Sequence, residues 1–219
     1  MFYWVKTNKL IKWLFNNQIW SLPNKENKIY LTFDDGPTPE VTPWVLDILK
    51  QNNLKATFFC IGKNIQQNPE IFKRIIAEGH LVGNHTHNHL NGWKTNNRIY
   101  LENVKQCEET IQKILNDNNF EYQISNIKSK FFRPPYGKIS LAQSKMIQNL
   151  GYKIIMWDVL TGDFDSSITP QNCLENAKKA VSGSIIVFHD SIKASTNLRY
   201  TLPRAIEYYI EKGLKFNVL

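Results

Sequence analysis

The chain is poor in cysteine and has no paired spacing of it. Cys60, Cys107 and Cys173 lie far apart, show no C-x-x-C pattern and cannot all pair, which argues against a disulfide framework and a zinc ribbon. An uninterrupted apolar run is also missing. In the amino-terminal stretch MFYWVKTNKLIKWLFNNQIW, Lys6, Lys9 and Lys12 cut every apolar segment short of a signal-peptide core of about 7–15 residues or a span of about 20. Neither an ordinary signal peptide nor a transmembrane span is expected, and the location expected is cytoplasmic or at a membrane surface. The net charge is +8, yet the lysines are dispersed among asparagines and never form a block of five or six. With no arginine cluster beside a stripe of aromatics, nucleic acid is not an expected partner. Long Gly, Ser or Pro linkers, short repeats and low-complexity tracts are absent too, which favours one domain.

What is present is a globular composition. The 219 residues are 42% hydrophobic and 12% aromatic, enough for one core of barrel size or two small ones. Strand-like runs near 28–33, 55–60, 81–84, 129–132, 153–158, 184–188 and 214–218 alternate with helical patterns near 40–52, 68–79, 98–116, 139–150, 170–182 and 202–212. The repeat predicts an α/β fold of about seven β/α units in a single domain, open or closed into a barrel, with residues 115–130 as a surface insertion. Ahead of it, residues 1–24 read as an amphipathic segment. On a helix Lys6, Lys9 and Lys12 share one side and Leu10, Trp13 and Leu14 another. A helix packing on the domain is the favoured reading, and peripheral membrane contact through residues 1–20 is the alternative.

Four stretches carry chemistry. In IYLTFDDGPTP (29–39) an apolar strand ends on two adjacent carboxylates and a Gly-Pro turn, so Asp34 and Asp35 sit at a strand's carboxyl end, where parallel α/β folds place their sites. A turn cap beside a solvated Asp is the plainer reading of that pair. GNHTHNHL (83–90) holds three of the five histidines. His85 and His89, four apart, would face the same way on a helical turn, with His87 turned elsewhere. Two imidazoles and a carboxylate form a zinc-type ligand set with an open fourth position. Asp35 fits as that carboxylate. Residue 86 is Thr, so the base of an H-E-x-x-H protease is missing and must come from another segment; Asp34 is the candidate. FFRPPYG (131–137) ends a strand on Arg133, suited to orienting a carboxylate, and on two prolines that can aim the amide of Tyr136 at an oxyanion. IIVFHDS (185–191) delivers His189 and Asp190 at a further strand end.

Taken in order, TFDDG (32–36), HTHNH (85–89), RPPYG (133–137), WDVLTGDF (157–164) and VFH (187–189) resemble the polysaccharide deacetylase family, the NodB-homology or carbohydrate esterase 4 group. The resemblance spans about residues 25–219. It implies a distorted (β/α) barrel of about seven parallel strands that removes acetyl groups from N-acetylated glucosamine polymers such as peptidoglycan or chitin. It also implies a divalent metal, usually zinc, on Asp35, His85 and His89. Asp34 then resembles the base that deprotonates the attacking water, with Arg133 as its orienting partner and Tyr136 as the backbone oxyanion donor. His189 resembles the acid that protonates the leaving amine, and Trp157 and Val187 line the acetyl pocket. An N-acetylated glycan is the expected partner and a monomer the expected state. The alternatives are a noncatalytic glycan-binding protein that keeps its metal, and an amidase or esterase acting on a smaller substrate.

Two positions depart from the family pattern in its fourth motif. Leu160 stands where an Asp is common and Phe164 where a Trp is common; in the fifth, Val187 replaces a frequent Leu. Leu160 removes the usual carboxylate from that position and leaves open what supports His189: Asp158, on the same face of an extended strand, is the nearest acid on it, and Asp163 or the metal are the alternatives.

Overall fold

The computed structural model describes residues 3–116 and 130–219, so most of the expected insertion at 115–130 lies outside the described residues. The strands are β1 (Lys28–Asp34), β2 (Thr57–Cys60), β3 (Leu81–Asn84), β4 (Lys130–Phe132), β5 (Tyr152–Ile154), β6 (Val159–Leu160), β7 (Ile185–His189) and β8 (Lys215–Asn217). All their pairings are parallel, in the order β5-β4-β3-β2-β1-β7-β6, with β8 beside the first half of β1 and β2 beside its second half. The main path therefore holds the seven strands of a curled barrel.

Around it lie α1 (Lys9–Leu14), α2 (Val41–Gln51), α3 (Gly62–Gln67), α4 (Pro69–Ala77), α5 (Asn97–Leu115), α6 (Leu141–Asn149), α7 (Pro170–Ala177) and α8 (Ser195–Glu211). Two-residue alternation along β1 sorts its side chains. Ile29, Leu31 and Phe33 enter the main core with Val45, Leu46 and Leu49 of α2 and Leu198, Leu202 and Ile206 of α8, whereas Tyr30 packs with Phe59, Phe131, Ile155 and Ile185 on the opposite side. By the same alternation Thr32 and Asp34 share the face of Tyr30.

Three elements differ from the periodicity. α8 begins at Ser195 and runs through Pro203, because Leu198, Thr201, Leu202, Ala205, Ile206 and Tyr209 form one buried face that outweighs the helix-breaking tendency of Pro203. α3 is too short to show a period. The strand expected at 153–158 is two pieces, β5 and β6, separated at 155–158.

That break leaves β5 and β6 as unpaired neighbours, and the amino-terminal segment bridges them. Ile19 N–H donates to Ile154 O and Met156 N–H to Ile19 O; Leu160 N–H donates to Val5 O and Thr7 N–H to Asp158 O. Lys6 and Lys12 each reach an oxygen of Asp158 at 2.5 Å, and the Ser184 hydroxyl donates to the same carboxylate. α1 thus lies on the domain by its lysine side, while Leu10, Trp13 and Leu14 point outward at 59%, 69% and 56% exposure.

Candidate active site

Asp34, Asn84, Phe132 and His189 are the last residues of β1, β3, β4 and β7, so one rim gathers the segments that follow all four. A cleft of about 470 Å³ opens there, lined by Asp34, Asp35, His85, His89, Tyr136 and His189 on its polar side and by Trp157, Leu160, Phe164 and Val187 on its apolar side. Of the residues to which the family resemblance gives a role, all but Arg133 border this cleft, and Arg133 is buried beside Asp34; Asp190, His87 and Asp158 do not line it.

Arg133 is fully buried. Its Nη1 donates to Asp34 Oδ1 and to Thr32 Oγ1, both at 2.7 Å; Nε and Nη2 donate to the carbonyls of Ile155 and Met156, and the guanidinium stacks on Phe59. All three nitrogens of the cation are engaged, so Asp34 is held through one oxygen by a support that cannot swing away.

The Asp35 carboxylate meets His85 Nε2 at 3.6 Å and His89 Nε2 at 3.1 Å. One donor atom from each of the three lies within 4.8 Å of the others. Burial alone would raise the pKa of Asp35, but the adjacent His89 ring and the neighbouring His189 and His85 hold it well below the usual carboxylate range. Burial lowers the pKa of His85 to about 4, which leaves a neutral imidazole at neutral pH. Its Nδ1 faces the Arg133 carbonyl at 2.7 Å, so it carries the proton and turns the lone pair of Nε2 toward Asp35. Asp35 Oδ1 is buried without a hydrogen-bond donor. A carboxylate oxygen in want of a positive partner, beside two imidazole nitrogens, fits a divalent cation.

The pair converges for a reason other than the helical turn expected from its spacing. Residues 85–90 are not helical; Thr86 and His89 adopt left-handed φ values of 63° and 55°, and this doubled-back loop turns both rings toward Asp35. His87 points away, its Nδ1 lying 2.5 Å from where a Cβ on Gly62 would be.

Gly36 follows the two carboxylates. Its amide donates to the buried carboxylate of Asp190, which also accepts from Thr42 Oγ1, and a Cβ at position 36 would stand 2.0 Å from Asp190 Oδ2. Gly36→Ala should therefore displace Asp190 from the turn and cost about 1–3 kcal/mol, read as a melting temperature lower by roughly 2–12 °C. An unchanged melting temperature would show that the turn can yield without loss.

Pro134 leads into a tight turn at Pro135–Gly137 in which Tyr136 sits at φ 60°. The amides of Gly137 and Lys138 are used within the turn, on the carbonyls of Pro134 and Pro135, and the Tyr136 amide takes part in neither bond. The Tyr136 hydroxyl lies 3.1 Å from His89 Nδ1. Gly137 has φ +66°, and a Cβ there would approach Trp157 to 2.6 Å, so a bare backbone lets the indole close that side of the cleft.

His189 is supported by Asp163, one of the alternatives to Asp158 that the sequence left open. Asp163 accepts the His189 amide through Oδ2 at 2.7 Å and meets His189 Nδ1 through Oδ1 at 2.8 Å. Burial opposes the imidazolium, but the adjacent Asp163 carboxylate and the more distant Asp35 and Asp34 push the pKa up to about 9. Leu160 therefore does not deprive this histidine of a carboxylate, and of the alternatives left open in the sequence it is Asp163 that provides one. Asp158 gives no help, being bound to Lys6 and Lys12, and Leu160 lines the cleft as an apolar wall. Phe164 adds an edge-on ring 4.9 Å from the imidazole.

The polysaccharide deacetylase family matches residues 21–155. A peptidoglycan-N-acetylglucosamine deacetylase of Bacillus cereus is 40% identical over 172 residues, covering 77% of this chain and 58% of that protein. Chitin deacetylase 2 of Saccharomyces cerevisiae is 36% identical over 194 residues, covering 82% and 55% respectively. The chain thus spans a little over half the length of these relatives. The crystal structure of a peptidoglycan N-acetylglucosamine deacetylase in complex with 4-naphthalen-1-yl-N-oxidanyl-benzamide superposes with a TM-score of 0.84 at 33% identity, covering 97% of this chain and 95% of that one.

Proposed function

Because the chain belongs to the polysaccharide deacetylase family, we propose that it is a metal-dependent hydrolase that removes N-acetyl groups from N-acetylglucosamine units of peptidoglycan or a chitin-like glycan. The observation that carries this reading is the meeting, in one cleft, of a carboxylate tied to a buried arginine with a histidine tied to a carboxylate. An amide has a weak electrophilic carbon and a poor leaving group, so its hydrolysis requires an activated water, a stabilised oxyanion and a proton for the nitrogen.

Asp35, His85 and His89 would hold the metal, and zinc suits two imidazoles and one carboxylate with a position left open. When bound, it would supply positive charge for the water and the carbonyl oxygen. Asp34 takes the proton from the attacking water; Arg133 engages one of its oxygens and fixes the direction of the other. The Tyr136 amide, outside the hydrogen bonds of its own turn, faces the developing oxyanion. His189, with its proton held by Asp163, passes a proton from its other ring nitrogen to the departing amine. Trp157 and Val187 would enclose the acetyl methyl.

Acetate release and product mass, measured across peptidoglycan fragments, chitin oligomers and free N-acetylglucosamine, test the reading. Acetate should appear from the polymeric substrates, stop on chelation and return with an added divalent ion. Acetate from none of them would favour a noncatalytic glycan-binding protein, and acetate from the monosaccharide alone would favour a small-substrate amidase.

A further inference from the structure

α1 is an amphipathic helix placed with its charged side toward the protein. Leu10, Trp13 and Leu14 stand at i, i+3 and i+4, so they form one outward face, and each is more than half exposed. Lys12 on the opposite side and Lys6 just before the helix are fixed inward by Asp158, and the backbone bonds of Val5, Thr7 and Ile19 pin both ends of the segment. The apolar face therefore cannot turn inward without breaking two ion pairs and the closure of the barrel. Beside it lies a pocket of about 630 Å³ lined by Trp4, Lys6, Lys9, Lys12, Asp158 and Val181. Three ammonium groups and one carboxylate leave it with two positive charges, on a chain whose net charge is +8. Trp4 and Val181 are themselves 49% and 57% exposed, which extends the apolar area to the pocket's edge.

We infer that residues 4–14 dock on an anionic phospholipid surface. Leu10, Trp13 and Leu14 enter the boundary between headgroups and acyl chains, where an indole with an apolar body and a polar N–H is well suited, and Lys9, exposed beside them at the edge of the positively charged pocket, meets lipid phosphates. An exposed apolar face with the exposed Lys9 on its flank matches the two components of a bilayer interface. A neutral glycan would answer only the first of them.

Co-sedimentation of the full chain with vesicles tests this independently of catalysis. The parent should sediment with vesicles of equal parts phosphatidylglycerol and phosphatidylcholine, and more weakly with phosphatidylcholine alone. A Leu10→Ser/Trp13→Ser/Leu14→Ser variant, altered only at exposed side chains, should lose about tenfold or more in partition coefficient. Lys9→Glu should weaken binding at low salt and less at high salt. Three results would overturn the inference: no sedimentation of the parent, equal binding by parent and triple variant, or self-association in sedimentation velocity that the triple variant abolishes while vesicles bind neither protein.

Discussion

Asp34→Asn should lower kcat/KM by about 10²- to 10⁴-fold, the usual worth of a general base, while metal content stays at the parent level. The substitution preserves shape and leaves an oxygen that can still accept from Arg133 Nη1. What it removes is the ability to take a proton. Asp34 contributes no atom to the Asp35–His85–His89 group, so the metal should bind as before. A second effect follows from burial. Arg133 would lose its counter-charge in a site from which water is excluded, and breaking a buried pair by removing one partner costs up to about 3–5 kcal/mol. Four other contacts, to Thr32, Ile155, Met156 and the Phe59 ring, remain to hold the guanidinium, so the protein should fold with a lowered melting temperature. Metal analysis, thermal unfolding and kinetics on one preparation separate these effects. Metal loss in the variant would place Asp34 among the ligands, and retained activity would remove it from the reaction.

The barrel and most of its rim were legible because each carries a local signal. Buried parallel strands read as near-continuous apolar runs, and a run that stops abruptly on Asp, His or Arg-Pro-Pro marks a strand end whose side chains are not needed for packing. The metal trio was legible for a partly mistaken reason. The spacing of His85 and His89 suggested a helical turn, whereas two left-handed residues, Thr86 and His89, bring the rings together. Asp163 was legible only as an alternative, behind Asp158. Applying two-residue alternation to an unbroken strand set Asp158 and Leu160 on one face and directed attention to them, but the strand breaks at 155–158 and alternation fails across the gap. Asp163 lies 26 residues from His189, in the loop after β6, and its partnership exists only because β6 and β7 are neighbours. In the chain it stands inside the WDVLTGDF stretch, where the Gly162-Asp163 pair by itself resembles an ordinary turn and does not point to His189. The lysines of the amino terminus were similarly opaque, since nothing local reveals that Asp158 waits for Lys6 and Lys12 across some 150 residues.

Asp163→Asn should lower kcat/KM by about 10²-fold or more at neutral pH and move the alkaline limb of its pH profile downward. The Asp163 carboxylate accepts two hydrogen bonds, from the His189 amide and from the ring at Nδ1, and it stabilises the imidazolium by charge. Asparagine has one accepting oxygen. If that oxygen keeps the backbone amide, the NH₂ group is turned toward Nδ1, which can no longer carry a proton there. The charge is gone as well, so burial, which opposes the imidazolium, dominates and the pKa falls from about 9 toward or below the ordinary 6.5. A general acid works only in its protonated form, and the limb that reports it must move the same way. Stability carries the same sign. A histidine whose pKa is raised on folding contributes stability that is complete below its unfolded value of about 6.5 and is lost as pH rises through the folded value of about 9. The melting-temperature advantage of the parent over Asp163→Asn should therefore be largest below pH 6.5 and shrink by pH 9. Profiles of kcat/KM and of melting temperature against pH, taken on both proteins, decide the matter. An unmoved alkaline limb would mean that the limb reports a group other than His189. A limb that moves while the melting-temperature difference stays constant with pH would mean that Asp163 acts on the reacting complex and leaves the free protein's proton affinity unchanged.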